Sequence, residues 1–560
     1  MPCEATSQKW AGVKMPEVTL QHFARAAADI GAHGDNDTLP FDLDTRLVQQ
    51  RQAEFANVAF SLFDELQRDG SINSKRKIDS LSIFNERLLT PTGSAGFRVT
   101  TKIHPFWSVY FNGLGVAIAD ALEDQRDPHA RSYRFRRDGT EELFDRSFSW
   151  RSFREATVAE ARLMPDDAIV VQTDVSSFYE HVSHHYVQNA INDLFPDGRV
   201  GNQITALLGK FSAGRSFGLP VGGQASRALA ELFLNPVDQR MTVSEIRWFR
   251  YVDDYVLIAP SNADAYRALS VLSYALADYG LTLNRGKTVM LTAKHYVDYV
   301  TAQLGGDEDG ASRLRAVDLY FDPYSDTAID DYESLKETVA TLEVQSILAQ
   351  ELEKALPDNF LVTQISRTLK LQQPAIALQL VATLLAPENL HAFRGSWSTI
   401  MRGITGLRAD PTFDGVALEI DSMLDAIADH SSHLLRAEAS VLHYLRTLQA
   451  RRTTERATFV QRTYEHARSE TVKRACIDCW RRWKDRAAFT ALRGSWSSMS
   501  PECQRLVWLA ADSFGDQGDG FRRQVELNFK HALKLGIERQ DKATFASVYE
   551  GWCSDAQAAA

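Results

Sequence analysis

Cysteine is scarce in this 560-residue chain: Cys3, Cys476, Cys479, Cys503 and Cys553, an odd number widely scattered. That pattern excludes a disulfide framework and suits reduced thiols. Cys476 and Cys479 have a C-x-x-C spacing, yet no second pair stands near them, so a structural role is expected rather than a zinc or redox site. Long apolar runs are missing as well. The longest, residues 375–386, is bracketed by Pro374 and Pro387 and falls short of the roughly 18 residues a membrane span needs. The opening stretch MPCEATSQKWAGVK has no apolar core of the signal-peptide kind, so a cytoplasmic location without membrane attachment is expected. Nor is there an excess of positive charge. With 62 Lys and Arg against 73 Asp and Glu the net charge is −11, and any nucleic-acid surface has to be a local basic patch.

What is present is the composition of a folded protein, 44% hydrophobic and 10% aromatic, with a length that implies roughly three or four domains. Residues 1–88 read as helical. In QAEFANVAFSLFDEL, Phe55, Val58, Ala59, Leu62 and Leu66 recur at helical spacing, and loops such as GAHGDNDTLPFD punctuate the pattern. Over residues 89–300 short apolar runs alternate with helical stretches. AIVVQTD predicts a strand ending at Asp174, SHHYVQNAINDLF a helix with Ser183 as N-cap, and GQASRALAELFL a helix after the Gly-rich FGLPVGG. IRWFRYVDDYVLIA predicts strand, tight turn, strand. The mixture predicts an α+β domain with helices on one face of an antiparallel sheet. Residues 301–327 read as a linker or reduced thumb, and 328–560 as an all-α domain. The echo of FRGSWS (393–398) in LRGSWS (492–497) points to a helical-repeat architecture there.

The chemistry starts from FRYVDDYVLIAP. Asp253 and Asp254 are adjacent inside an apolar hairpin, where mutual repulsion and lost hydration cost several kcal/mol unless a cation or hydrogen bonds compensate. Asp174 also closes an apolar strand. If the strands are neighbours, three carboxylates converge at one sheet edge, a means of holding two Mg²⁺ ions about 3.5–4 Å apart for phosphoryl transfer.

With these residues in view the sequence resembles reverse transcriptases over residues 90–300. QTDVSSFY looks like the first palm motif, GLPVGGQAS the glycine-turn motif, YVDD the third and GLTLNRGKT the fourth. The resemblance implies a right-hand-like fingers and palm domain. It makes Asp174, Asp253 and Asp254 metal ligands and catalytic residues for Mg²⁺, with Mn²⁺ able to substitute. Lys287 would protonate the departing pyrophosphate. Tyr179, beside Phe178, would lie under the sugar and exclude a 2′-hydroxyl. Pro220, Gly222 and Gly223 would let backbone approach the nucleotide. In RSYRFRR, alternation along an extended strand would point Arg134 and Arg136 the same way, and with Arg131 they would grip a triphosphate.

The pattern also departs from the family's. Val221 follows Pro220 where Gln is usual, and Ser226-Arg227 replaces Ser-Pro. This variant, with LAELFLNPVD and RSYR, resembles bacterial abortive-infection and other defence-associated reverse transcriptases. The implied activity is DNA synthesis from dNTPs, without a template or primed by protein, in antiphage defence in the bacterial cytoplasm, with RNA as template or non-coding partner and a homo-oligomeric assembly. A different class stays open: a catalytically degenerate nucleic-acid-binding or phage-sensing effector acting through its helical domain, motivated by Val221 and Arg227. Two further stretches carry weaker signals. HVSHH places His181, His184 and His185 at helical metal-ligand spacing but reads as an ordinary helix start. Residues 451–486 hold eleven Lys or Arg against five Asp or Glu, with Trp480 and Trp483. They suit either a single nucleic-acid strand or an amphipathic helix pair with core tryptophans.

Overall fold

The computed structural model describes residues 16–93, 96–138, 142–304, 310–317, 328–354, 357–537 and 542–555. The opening stretch with Cys3, and most of the linker or reduced thumb (305–309 and 318–327), lie outside the described residues.

The N-terminal region is helical as the periodicity predicts. Helix Gln52–Arg68 buries Phe55, Val58, Ala59, Leu62 and Leu66 on one face. An antiparallel hairpin follows, β1 (Asn85–Thr92) and β2 (Gly96–Ile103), paired from Asn85↔Ile103 to Thr92↔Gly96. It leads into helix Pro105–Glu123, which carries proline in its first turn, where a missing N–H costs nothing. This helix is buried along almost its whole length. At Gly115 a Cβ would lie 2.5 Å from Ala225 Cα, so glycine is what lets helix Gln224–Val243 pack this closely against it.

A second sheet, antiparallel throughout, contains β3 (Ile169–Asp174), β4 (Arg247–Tyr251), β5 (Asp254–Ala259) and β6 (Val289–Thr292), in spatial order β4-β5-β3-β6. One face buries Val170, Phe249, Val256 and Ile258 together with Phe153 of helix Trp150–Ala161 and Tyr296 of helix Ala293–Leu304. The other face places Val171, Trp248, Tyr255 and Leu257 in the main core beneath helices Gln224–Val243 and Asn262–Ala277. Helices therefore cover both faces, which corrects the expectation of one. The unbroken apolar runs AIVV and YVLIA, without polar alternation, are the signature of strands buried on both sides.

After residue 328 the described chain is helical. Residues 314–448 supply one core. Residues 439–553 share the main core with the N-terminal helices and the sheet. Polar contacts reinforce that union. Arg474 Nη1 lies 2.7 Å from Asp44 Oδ2, and the Glu86 carboxylate accepts from the backbone N–H groups of Glu470 and Thr471, both at 2.9 Å, at the start of helix Glu470–Arg482. Arg402 donates to the carbonyl oxygens of Asp37 and Leu39. The RGSWS echoes both occupy short 3₁₀ turns at helix ends and bury a tryptophan, Trp397 and Trp496. In the basic stretch Trp480 is core and packs on Tyr464, while Trp483 is half-buried and donates to the Gln449 carbonyl. The helix pair is present, with one of its two tryptophans, Trp480, in the core. Cys476 and Cys479 are buried on the same helix, and burial pushes both thiols up.

Candidate active site

Strand pairing gathers the three carboxylates. Asp174 is the last residue of β3, and its register partner on β5 is Asp254. β4 and β5 are joined by a two-residue turn, Val252-Asp253, and the Asp253 carbonyl accepts from Val175 N–H at 3.0 Å. All three line one cleft of about 670 Å³, together with Tyr179, Gly222, Gly223 and Lys287. Desolvation, followed by the Asp174 charge, pushes Asp253 up to about 6. Desolvation, then Asp253 and Asp174, pushes Asp254 up to about 7. Lys287 Nζ lies 2.8 Å from Asp174 Oδ2, and that hydrogen bond raises the ammonium above its ordinary value. Asn284 holds Asp174 twice: its N–H donates to the Asp174 carbonyl at 2.7 Å, and its Nδ2 to Oδ2 at 3.1 Å.

Among the described residues no group of three or more His, Cys, Asp or Glu side chains is gathered tightly enough to hold a metal ion. The donors nonetheless fit a hard divalent cation in kind. They are carboxylate oxygens from three residues, two of them, Asp253 and Asp254, destabilised as anions by burial and by neighbouring carboxylates.

The turn between them is strained and braced. Val252 has φ +55°, a left-handed conformation that a β-branched residue rarely adopts and that costs about 1–3 kcal/mol. Its N–H donates to Ser132 Oγ and its carbonyl accepts from Arg250 Nη1, both at 2.8 Å. Ser132 Oγ in turn donates to Glu231. Arg250, fully buried, forks onto Asp238 (2.9 and 2.6 Å) and onto Glu231 (3.2 and 2.9 Å), while Arg126 reaches Glu231 at 2.5 Å. Burial alone would raise the Glu231 carboxyl, but Arg250 and Arg126 hold it below its ordinary range. RSYR and LAELFLNPVD thus meet under YVDD, joined to each other by the Ser132–Glu231 hydrogen bond, with Arg250 pairing Glu231 and Asp238.

The remaining expected residues divide. Tyr179 is half-buried in the cleft wall, and its carbonyl accepts from Leu219 N–H at 2.8 Å. Phe178 also borders the cleft, but its ring is core, 6.2 Å from that of Phe233. Gly222 has φ +115°, and a Cβ there would lie 2.2 Å from Asn36 Nδ2, so the glycine is required both by conformation and by close approach. Pro220 lines a neighbouring cleft and accepts from Ser226 Oγ through its carbonyl.

The basic triad does not reach the cleft. The expected strand over Arg131–Arg137 is interrupted at Tyr133, which is left-handed at φ +48°. Arg134 binds Glu123 at 2.6 Å and two backbone carbonyls, Arg136 pairs with Asp138, and Arg131 lies over the Phe148 ring at 5.2 Å. Arg98, Arg227 and Lys287 are the cations that line the cleft. Arg227 pairs with Asp37 at 2.5 Å and sits 5.0 Å over the Tyr133 ring. The sequence marked Arg227 only as a departure and missed Asp37, Arg98 and Asn284; Asn284 alone had a local signal, three residues before Lys287. His184 is spent on the Gly218 carbonyl at 2.7 Å, consistent with an ordinary helix start.

Residues 99–304 match the family model for reverse transcriptase (RNA-dependent DNA polymerase), so the chain carries a reverse transcriptase domain over less than half its length. No curated protein matches the chain at a significant level. Among solved structures, a telomerase from Candida albicans in complex with a fragment of telomeric RNA aligns at TM-score 0.32 and 10% identity, covering 62% of this chain and 65% of that one. An apo telomerase from Candida tropicalis aligns at TM-score 0.29 and 10% identity, covering 68% and 74%. The chain thus spans just under two thirds of the first telomerase, and neither likeness bears on function.

Proposed function

We propose that the chain is a Mg²⁺-dependent nucleotidyltransferase that makes DNA from dNTPs. The observation that carries this reading is the register that sets Asp174 opposite Asp254 with Asp253 in the adjoining turn, inside a domain of reverse transcriptase sequence. Asp174, Asp253 and Asp254 would hold divalent cations, which when bound neutralise the triphosphate and activate the attacking hydroxyl. The chain's own residues do the rest. Tyr179 flanks the sugar and disfavours a 2′-hydroxyl, Gly222 and Gly223 admit the nucleotide against backbone, Arg227 and Arg98 contribute positive charge, and Lys287 delivers a proton to pyrophosphate from Nζ. Antiphage defence in a bacterial cytoplasm, an RNA partner and a homo-oligomer belong to the same proposal and rest on the motif resemblance. The test is purified protein with dNTPs and Mg²⁺, with and without RNA. Incorporation or self-labelling is expected from the native chain and not from Asp253→Ala/Asp254→Ala; equal incorporation by both defeats the assignment.

The Lys287–Asp174 pair, which occupies one of the three carboxylates, favours a second reading: a nucleic-acid-binding or phage-sensing effector with an idle palm. In that case the double Asp variant protects cells as well as the native chain, and deletion of the residues after about 330 abolishes protection.

A further inference from the structure

Four arginines gather around one carboxylate where the N-terminal helices meet the helical region. Arg46 stands on helix Leu43–Gln50, Arg446 on helix Glu438–Leu448, and Arg481 and Arg482 in the last turn of helix Glu470–Arg482. The carboxylate is Asp478, buried one turn earlier on the last of these helices. Arg481 Nε lies 2.8 Å from Asp478 Oδ1 and Arg482 Nε 3.5 Å from Oδ2, while Gln449 Nε2 donates to Oδ2 at 2.9 Å. Arg446 is tied to this group only through Gln449, donating to its Oε1 at 2.9 Å. The Arg46 side chain has no hydrogen bond or ion pair among the described residues. Desolvation, then repulsion by Arg482 and Arg481, lowers the Arg46 guanidinium below its ordinary value, and desolvation followed by Arg482 does the same to Arg446.

The charges here do not balance. Asp42, the other acid that Arg446 senses, is taken by Lys102 at 2.8 Å. The helix end adds only about half a negative charge. Four cations therefore share Asp478 and that half charge, in a chain of net charge −11 with acidic residues to spare. Arg481 is nine-tenths buried, and its Nη2 is shielded from solvent without a hydrogen-bond acceptor. Arg482 Nε, despite its approach to Asp478, is shielded and without a hydrogen bond as well. Enclosed guanidinium donors that lack acceptors mark a place for an anion.

We infer that Arg46, Arg446, Arg481 and Arg482 bind the phosphate chain of a small polyphosphate, inorganic or carried by a nucleotide. Donors gathered around a single point suit a compact, multiply charged anion, whereas a nucleic-acid strand presents one charge per phosphate along an extended path. None of the four lines the carboxylate cleft, so the inference stands apart from the polymerase reading. An occupant touching helices of both regions fastens them together, and binding is read as a gain in thermal stability.

The full-length protein is melted in EDTA at constant ionic strength with pyrophosphate, inorganic triphosphate, ATP or sulfate, and affinities are measured by isothermal titration calorimetry. Triphosphate and pyrophosphate should raise the melting temperature more than sulfate does. Equal affinity for triphosphate and ATP assigns the site to the phosphate chain alone, and tighter ATP binding assigns it to a nucleotide. Arg46→Gln/Arg482→Gln should weaken triphosphate binding at least about tenfold, the scale for losing a charge-assisted hydrogen bond. Arg46→Gln alone should melt no lower than the native chain without ligand, because its charge is repelled there, yet gain less from triphosphate; a purely structural arginine does the reverse. Arg523→Gln, on helix Asp516–Ala532, and Lys287→Ala, in the carboxylate cleft, should keep the native response. Circular dichroism confirms that each variant is folded. A rise no greater than that with sulfate, a rise kept by the double variant, or one lost in Lys287→Ala overturns the site. So does 12-nucleotide oligo-dT that binds more tightly than triphosphate through the same arginines, which makes the cluster a strand contact.

Discussion

Arg250 donates to the carbonyl of Val252, two residues further along, at 2.8 Å, and so holds from beneath the left-handed residue that presents Asp253. The same guanidinium satisfies Glu231 and Asp238, both buried. Removing it leaves two carboxylates without their main counter-charge in a place water does not reach. Arg250→Met should therefore cost about 3–5 kcal/mol in urea denaturation, the scale for breaking a buried pair from one side. Ser132→Ala removes the acceptor of the Val252 N–H and one donor to Glu231, and should cost about 2 kcal/mol. Its larger effect should be on turnover: kcat for dNTP incorporation falls at least tenfold with KM little changed. A Ser132→Ala enzyme with native kcat would show that the turn needs no such brace.

The acidic pair makes stability depend on pH in a direction opposite to that of most carboxylates. Folded Asp253 and Asp254 titrate at about 6 and about 7, above the ordinary 3.8. The folded state thus binds more protons than the unfolded one between about pH 4 and 7, and stability falls as pH rises through that window. Asp254→Asn should raise stability by about 1–2 kcal/mol at pH 8 with EDTA present, a figure discounted for partial exposure, and the gain should vanish below about pH 4. Adding Mg²⁺ should stabilise the native chain more than Asp253→Asn/Asp254→Asn. Thermal melts across pH 4–8 check both statements.

These features differ in how far they could be read from the chain alone. Asp174 and the Asp253-Asp254 pair were legible because each closes or interrupts an apolar run, a conflict visible within about ten residues. The helix over Gln52–Arg68 was legible by periodicity. Covering of the sheet on both faces was present in the same apolar runs, and the one-face expectation underweighted it. Asn36 and Asp37 were not legible. Asn36 reaches the Val221 carbonyl at 3.0 Å and Asp37 N–H the Gly222 carbonyl at 3.1 Å across some 185 residues of chain, a pairing no local pattern encodes. Arg134 was not legible for a related reason: the alternation of a strand does not hold where Tyr133 turns the backbone, and Glu123, eleven residues upstream, takes the charge. Arg474 of the basic stretch is buried against Asp44, a partner some 430 residues away that no local pattern encodes.

Arg227 is the cation that both lines the cleft of the three carboxylates and departs from the family pattern. It is held by Asp37 and by the Tyr133 ring, so its guanidinium is already ordered before any ligand arrives. Arg227→Ala should raise KM for dNTP about tenfold with a smaller change in kcat, the signature of a group that binds ground and transition states alike. Asp37→Asn keeps the shape and loosens the pair; it should shift KM in the same direction by less. Steady-state kinetics on the two variants decide whether Arg227 serves the nucleotide, and a change confined to melting temperature would leave it a purely structural residue.

His443 joins the helical region to the loop beside that cleft. Its Nε2 donates to the Thr38 carbonyl at 3.0 Å, and burial, followed by the Arg402 charge, pushes the imidazole down to about 3. Below its unfolded value of about 6.5 the unfolded chain takes up a proton that the folded chain refuses, so stability is present above pH 6.5 and is lost progressively as pH falls toward 3. This runs against the trend set by Asp253 and Asp254, and the two are separable by substitution. His443→Gln retains a donor for Thr38 without the titration. It should flatten the acid limb between pH 6.5 and 4 while costing about 1 kcal/mol at pH 8. Protection of the amides of residues 36–39 against hydrogen exchange should fall on acidification in the native chain more than in the variant, because a charge on His443, buried beside Arg402, favours opening of this loop from the helices. Equal acid sensitivity in the two proteins would place the acid-labile contact elsewhere, with the buried His104 beside Arg505 as the next residue to substitute.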